Sequence, residues 1–409
     1  MTAEARSVKG RWAIAAAGVA TQLALGTVYA WSVFKKPLMA AHGWTGPEVG
    51  LTFTLAIFFI GLSAALGGRL VDRAGARRVA SAAALLFGVG TLLAGLADQM
   101  GSKWLLWLGY GLVAGVGNGL GYVTPIAVLV RWYPDKKGAI TGLAVMGFGL
   151  GAAIMGQVAP VLIPHIGVAG TFYASGITFL VVLLMAARKL NNPTQEQLAL
   201  LPAPRQAGAQ AAALSVDFRR ARGMYQFYLL WLILFVNVTA GIALLSNLSP
   251  MAQAQVGLSA VAAGTLVLVG SIFNGLGRIC WACLSDAVGR RTTFLLLLGT
   301  QVPALVLVPR VASPILFGIL CCYVLSCYGG GFATMPAFAV DTFGAKYIGS
   351  IYGPILFAWG VAGVVGPMLM EFINKRTGEF APALEIAAGL LVFGFLLAVA
   401  YRRPQIQQA

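Results

Sequence analysis

Long apolar runs, separated by short segments that carry most of the charges, dominate the sequence. A helix of about 20 apolar residues is long enough to cross the hydrocarbon core of a bilayer. Runs of about that length occur twelve times, near residues 12–34, 49–71, 79–97, 104–130, 139–162, 170–188, 225–248, 261–284, 292–310, 313–338, 347–371 and 381–401. The pattern therefore predicts an all-α polytopic membrane protein with twelve transmembrane helices.

The segment between the sixth and seventh runs has a different composition. Residues 189–224 are rich in Ala, Gln and Pro and end in a cluster of arginines. This composition is typical of a solvated linker between two structural units. We therefore predict an N-terminal six-helix bundle over residues 1–188, a cytoplasmic linker over 189–224 and a C-terminal six-helix bundle over 225–409.

Charge is scarce and unevenly placed. Only 10% of the residues are charged, yet the net charge is +16. Nucleic-acid binding is not indicated, because the basic residues form short clusters between apolar runs and no basic stripe alternates with aromatics. The clusters collect on one side of the predicted membrane, which the positive-inside rule makes the cytoplasmic side. We predict a multi-pass protein of the cell (inner) membrane with both termini in the cytoplasm and no obligate protein partner.

The two halves of the sequence repeat each other. Asp72, Gly75 and Arg77, after the second run, recur 214 positions later after the eighth run. A second block recurs with an offset of 211 positions: Gly119, Pro125, Gly138, Gly142 and Gly149 return as Gly330, Pro336, Gly349, Gly353 and Gly360. Parallel repeats of six spans are found in transporters whose binding site lies between two bundles.

Three stretches carry a resemblance to a known family. The loop "GGRLVDRAGARR", with Gly68, Asp72, Gly75, Arg77 and Arg78, resembles the major facilitator superfamily. The stretches "GTVYAWSVFKKPL" (26–38) and "RWYPDKKGAITGLAVMGFGLGA" (131–152) resemble monocarboxylate transporters and their bacterial relatives, which include oxalate–formate antiporters. The resemblance covers all twelve runs. It implies the major facilitator fold, two pseudo-symmetric six-helix bundles, and transport by alternating access.

The repeated loops are candidate gating elements. A carboxylate in a tight cytoplasmic turn can cap a helix end and meet arginines when that side of a transporter is closed. The predicted gating residues are Asp72, Arg77, Arg78, Asp286, Arg290 and Arg291.

Arg278 stands inside the eighth apolar run. An arginine at the centre of a membrane helix costs about 2.5–3.5 kcal/mol, so it needs a compensating partner. Asn274 lies four residues earlier on the same helix face, and no Asp or Glu occurs at comparable depth in any run. An anionic substrate would supply the missing charge, since a guanidinium can hold both carboxylate oxygens. The alternative is that Arg278 snorkels to the cytoplasmic headgroups.

The family resemblance also implies that the span-8 arginine binds a substrate carboxylate. Oxalate antiporters of the family add a lysine in span 11, whereas residues 357–360 here contain none. One buried cation favours a small monocarboxylate such as L-lactate or pyruvate, carried together with protons. An anion exchanger of the oxalate–formate type is the alternative. Animal relatives have an aspartate where this chain has Asn274, and an amide cannot carry a proton, so no proton carrier is assigned.

Other candidate pocket residues follow from their neighbours. Tyr122 and Tyr328 lie beside clustered glycines and could hydrogen-bond a hydroxy acid, or instead satisfy a backbone carbonyl. Leu25, Phe332 and Phe357 could form an apolar wall, or be plain packing residues. No catalytic residue, metal or other cofactor is expected, because both histidines lie outside the runs and the five cysteines form no zinc motif. The chain is not predicted to be an enzyme.

Overall fold

The computed structural model describes residues 3–202 and 216–404, and the regular structure in these ranges is helical. The long helices are α1 (Ala3–Gly26), α2 (Trp31–His42), α3 (Gly46–Ala74), α4 (Ala76–Gln99), α5 (Gly115–Trp132), α6 (Lys137–Ala187), α7 (Tyr225–Val256), α8 (Ala260–Val288), α9 (Arg290–Leu307), α10 (Pro314–Phe343), α11 (Ile348–Thr377) and α12 (Ala381–Ala400). Short helices lie at Lys103–Leu106, Gln195–Ala199 and Phe218–Ala221. The predicted all-α membrane fold is confirmed.

The number of membrane crossings depends on whether the longest helix is counted as one crossing or two. Within the described residues, eleven helical segments are long and apolar enough to span a bilayer, and α1 and α2 count as one of them. The longest, α6, has 51 residues, but Gly167 within it has φ 73° and ψ 176°, far from helical geometry. This break divides α6 into two crossings, which correspond to the fifth and sixth apolar runs.

Irregular backbone interrupts two of the spans. A 3-10 turn at Thr27–Ala30 separates α1 from α2, and a π-helical segment at Trp107–Ala114 precedes α5. At the turn, α1 comes so close to α6 that a Cβ atom on Gly26 would lie 1.9 Å from the carbonyl oxygen of Phe148. Non-helical backbone at membrane depth is tolerated where it is buried in protein. The apolar pattern did not predict either irregularity.

The halves meet along two lines of small residues, which we call the first and second seams. In the first seam α3 packs on α11, and a Cβ atom on Gly353 would lie 2.2 Å from the carbonyl oxygen of Ala64. In the second seam α6 packs on α8, and a Cβ atom on Gly142 would lie 2.8 Å from the carbonyl oxygen of Arg278. The backbones can approach this closely only because the side chains are small or absent.

The polar loops that begin or end the seam helices share one end of the bundle, which we call the basic face. The repeat extends to backbone geometry there: Gly75 has φ 88° and ψ 147°, and its counterpart Gly289 has φ 92° and ψ 155°. Of the predicted linker, residues 203–215 lie outside the described residues. After that gap, the Val216 N–H donates to the carbonyl of Phe343, at 3.1 Å.

Candidate functional site

The guanidinium group of Arg278 lies inside the bundle, at the second seam. Its side chain is 1% exposed, so it does not reach headgroups at either face. Its Nε donates to Asn274 Oδ1 at 3.3 Å, and its Nη1 donates to the carbonyl oxygen of Val145, in the other half, at 2.9 Å. None of the ion pairs in residues 3–202 and 216–404 includes Arg278. A positive charge is therefore buried between two neutral acceptors.

Aromatic side chains from both halves enclose this charge. The Arg278 Cζ atom lies 5.4 Å from the ring centroid of Phe332 and 5.7 Å from that of Phe148. Trp359, on α11, packs against both rings, with centroids 5.3 and 5.6 Å away. Electron-rich ring faces attract a cation but do not neutralise it. The enclosure keeps water from the guanidinium and leaves its charge available to an anion.

Tyrosines close the enclosure on two sides. The hydroxyls of Tyr29, in the 3-10 turn, and Tyr328, on α10, are 3.3 Å apart and link the halves. The ring of Tyr122 lies 5.4 Å from that of Trp359. The Tyr122 hydroxyl and the Trp359 Nε1 atom are both buried, and neither has a hydrogen-bond partner in the described part of the chain. Buried polar atoms without partners are rare in proteins, so a ligand is a natural partner for these two.

A glycine of α10 brings these groups together. A Cβ atom on Gly329 would lie 2.5 Å from Asn274 Oδ1 and 3.0 Å from Arg278 Cγ. Any larger residue would push α10 away from the arginine. Tyr328, the preceding residue, is held at the same place because the Asn237 side-chain amide donates to its backbone carbonyl, at 3.4 Å.

For two further predicted pocket residues, Leu25 and Phe357, the contacts observed are with other neighbours. Leu25 is fully buried in the N-terminal half, where its carbonyl accepts a hydrogen bond from Asn118 Nδ2 at 2.9 Å. Phe357 lies on the other side of α11 from Trp359, beside Phe58 of the first seam, with ring centroids 6.4 Å apart. The aromatic residue that α11 packs against the two rings beside the arginine is Trp359. In the sequence it stood out only as a position without lysine.

Asp72 joins the halves at the basic face. Its carboxylate accepts from Arg131 Nη2 at 2.8 Å, and from the Ser350 backbone N–H at 2.7 Å and hydroxyl at 2.6 Å. Ser350 lies in the first turn of α11, where a negative charge also interacts favourably with the helix dipole. Arg131 in addition donates to the carbonyl oxygens of Ala345 and Lys346.

Asp286 forms the equivalent contact from the other half. Its carboxylate accepts from the backbone N–H groups of Gly138 and Ala139, at 3.0 and 2.8 Å, in the first turn of α6. Arg290 pairs with Asp286 at 2.6 Å and with Asp341 at 2.9 Å. Asp341 also forms an ion pair with Lys137 of the other half, with Nζ 3.0 Å from its carboxylate. The basic face is thus closed by two helix caps and a chain of charges.

For the other three predicted gating residues, the structure shows no contact between the halves within the described residues. Arg77 and Arg78 are exposed on α4. Arg291 donates to the carbonyls of Ala398 and Val399 at the end of α12, within its own half. Three residues of the basic face were not predicted from the sequence, because their partners are far away along the chain: Arg131, Lys137 and Asp341.

The family follows from comparison with known proteins. Residues 16–367 match the Major Facilitator Superfamily, and the chain belongs to that family. It is therefore a membrane transporter and not an enzyme.

Three relatives and one solved structure illustrate the similarity. The chain is 25% identical to the uncharacterized MFS-type transporter YhjX of Escherichia coli, covering 87% of this chain and 86% of the relative. It is 26% identical to the oxalate:formate antiporter of Oxalobacter formigenes, covering 86% and 82%. It is 26% identical to apicoplast pyruvate carrier 1 of Toxoplasma gondii, covering 66% and 59%. The transporter FucP in its outward conformation superposes with a TM-score of 0.71 at 15% identity, covering 96% of this chain and 99% of FucP, and supports the fold.

Proposed function

We propose that this transporter carries small monocarboxylates, such as L-lactate or pyruvate, with Arg278 binding the carboxylate. The observation that supports this most directly is a guanidinium buried at the joint between the halves with two neutral acceptors and, in the described part of the chain, no carboxylate partner. A carboxylate would replace the Val145 carbonyl as the acceptor and neutralise the charge. Because Val145 belongs to the opposite half, this exchange would also loosen the second seam when substrate binds.

We infer that protons accompany the substrate. A monoanion that enters alone against a negative-inside potential is opposed by about 2.3 kcal/mol per 100 mV, and a proton moving with it removes this term. The proton can travel on the substrate, so that no carboxyl group of the protein is required. In this proposal the basic face is the cytoplasmic face of the cell (inner) membrane, both termini lie there, and Asp72 and Asp286 act in its closure.

The test is uptake of labelled L-lactate into proteoliposomes, with and without an inside-alkaline pH gradient. We expect gradient-driven accumulation by the wild-type protein. Arg278→Ala and Arg278→Lys should each lower the initial rate by about 100-fold or more, because a charge-assisted bidentate contact is lost. Arg188→Ala, which alters an exposed arginine just after α6, is the matched control and should transport normally. Wild-type rates in Arg278→Ala would exclude the carboxylate-binding role.

Anion exchange of the oxalate–formate type is the second candidate, because a relative that carries that name aligns over most of both chains. Loading the vesicles with unlabelled formate or lactate separates the two. Exchange would require the internal anion and ignore the pH gradient, whereas symport would proceed into empty vesicles. Oxalate should compete poorly in either case, since one buried guanidinium balances only one of its two charges.

A further inference from the structure

Tyr352 of α11 and Tyr122 of α5 form a pair that no role assigned so far explains fully. Both side chains are 1% exposed, and they come from opposite halves of the transporter. The two phenol groups are neighbours and lie within electrostatic reach of Arg278. Neither hydroxyl has a hydrogen-bond partner in the described part of the chain. The two hydroxyls thus lie next to each other beside a charged group without forming a hydrogen bond of good geometry.

The sequence repeat shows that the fold does not need tyrosines at these places. The positions that correspond to Tyr352 and Tyr122 by the offset of 211 are Thr141 and Ala333. At these positions the side chains are small, and the one polar group is hydrogen-bonded between the halves: Thr141 Oγ1 donates to the Ala333 carbonyl at 3.0 Å. One copy of the repeat therefore has a hydrogen-bonded threonine at this contact, and the other has two adjacent phenols that form no hydrogen bond of good geometry.

Burying unpaired hydroxyls costs free energy, and most proteins avoid it. Tyr133, whose hydroxyl is also buried without a partner among the described residues, lies instead against Trp12 and Arg11, outside the aromatic enclosure. Tyr122 and Tyr352 differ from it because both interact electrostatically with Arg278, and Tyr122 packs on the rings of the enclosure. The Tyr122 ring lies 5.2 Å from Phe148, whose ring also faces the guanidinium.

We propose that Tyr122 and Tyr352 form a second polar subsite beside Arg278, which binds the oxygen that a 2-hydroxy or 2-oxo acid carries on carbon 2. This inference rests on the proposed function, in which Arg278 holds the carboxylate. Tyr352 is a new specificity-determining residue in this arrangement, and Tyr122 acquires a defined partner. A phenol can donate to a hydroxyl or a keto oxygen and can also accept from a hydroxyl, so the subsite suits both acids.

A subsite of this kind discriminates between acids with and without an oxygen on carbon 2, because only the former can form hydrogen bonds with the two phenols. An acid without an oxygen on carbon 2 would leave both phenols unpaired in the bound state, which disfavours its binding. Propionate, which has the same carbon chain as lactate and pyruvate, should therefore bind more weakly. Removing the phenol should abolish this preference without harming propionate.

The experiment measures inhibition constants of L-lactate, pyruvate and propionate against uptake of labelled L-lactate by the full-length protein in proteoliposomes. The wild type should prefer lactate and pyruvate over propionate by about tenfold or more. Tyr352→Phe should raise the constants for lactate and pyruvate about tenfold and leave that for propionate unchanged. Tyr122→Phe should act in the same direction, and Tyr133→Phe, the matched control, should resemble the wild type.

The outcomes separate this inference from the proposed function. If the wild type takes up no labelled L-lactate, and no labelled pyruvate or propionate in the same assay, both are overturned. If uptake depends on Arg278 but Tyr352→Phe changes all three constants equally or none of them, only the second subsite is overturned. Loss of the preference in Tyr352→Phe, with propionate unaffected, supports both, since a merely structural role would alter all three acids together.

Discussion

The two seams between the halves have nearly the same backbone and different chemistry. Positions of α3 and α8 are related by an offset of 214, and those of α11 and α6 by 211. The close contacts obey these offsets: Gly61–Gly360 corresponds to Gly275–Gly149, Ala64–Gly353 to Arg278–Gly142, and Gly68–Gly349 to Ala282–Gly138. The cap of Ser350 by Asp72 likewise corresponds to that of Ala139 by Asp286.

The difference in polarity is greatest at the places of Arg278 and Asn274. The residue that occupies the place of Arg278 in the first seam is Ala64, which is fully buried and apolar. The place of Asn274 is taken by Ile60. Since the first seam packs closely at this depth without a charge, packing of the halves at this place does not require one. The arginine is therefore not needed for packing at this place, which supports the proposed role in substrate binding.

The largest effect is expected from moving the charge to the wrong seam. Ala64→Arg should destabilise the protein by about 2.5–3.5 kcal/mol, because the first seam offers no equivalent of Asn274 to accept from the guanidinium. Arg278→Ala should leave the melting temperature unchanged or raise it, because it removes a charge held only by neutral acceptors. Thermal unfolding of the purified protein in detergent measures both.

Ala64→Met supplies the control for size without charge. It should lower the melting temperature less than Ala64→Arg does. Equal losses in the two variants would mean that the first seam rejects bulk alone, and the argument from charge would then fail.

The second largest effect is expected from separating the helix backbones that approach closely in the seams. Gly353→Val and Gly142→Val should each force the basic face open, at a cost of about 1–3 kcal/mol in overpacking. The effect should be larger at Gly353, where the obstacle is a carbonyl oxygen 2.2 Å from the new Cβ atom. Spin labels on the exposed residues Lys136 and Lys346, after replacement of the native cysteines, report the separation of the halves.

A glycine in open space provides the comparison for these valines. A Cβ atom on Gly264 would meet no other described residue within 4 Å, so Gly264→Val should leave the distance between the labels unchanged. If Gly353→Val also left it unchanged, the first seam would not be the contact that closes the basic face.

Sequence reasoning predicted the spans, the repeat and Arg278, because each has a local signature. Hydropathy marks the spans, and a charge in an apolar run marks Arg278. Sequence reasoning did not single out Tyr352, and it named Phe357 rather than Trp359 as a pocket candidate. The reason is that the direction in which a side chain points from an apolar helix leaves no pattern in the sequence. The repeat offset could have pointed to Trp359, because this residue corresponds to Phe148. The two rings meet between the halves, with centroids 5.6 Å apart.

The smallest effect is expected at the two caps. Asp72→Asn should shift the population toward an open basic face about tenfold, because it breaks the ion pair with Arg131 and weakens the cap on Ser350. Asp286→Asn should shift it only about threefold, because Arg290 retains Asp341, and Asp341 still binds Lys137 across the halves. The same pair of labels on Lys136 and Lys346 measures both. Equal shifts would mean that the charges around Asp341 contribute nothing to closure of the basic face.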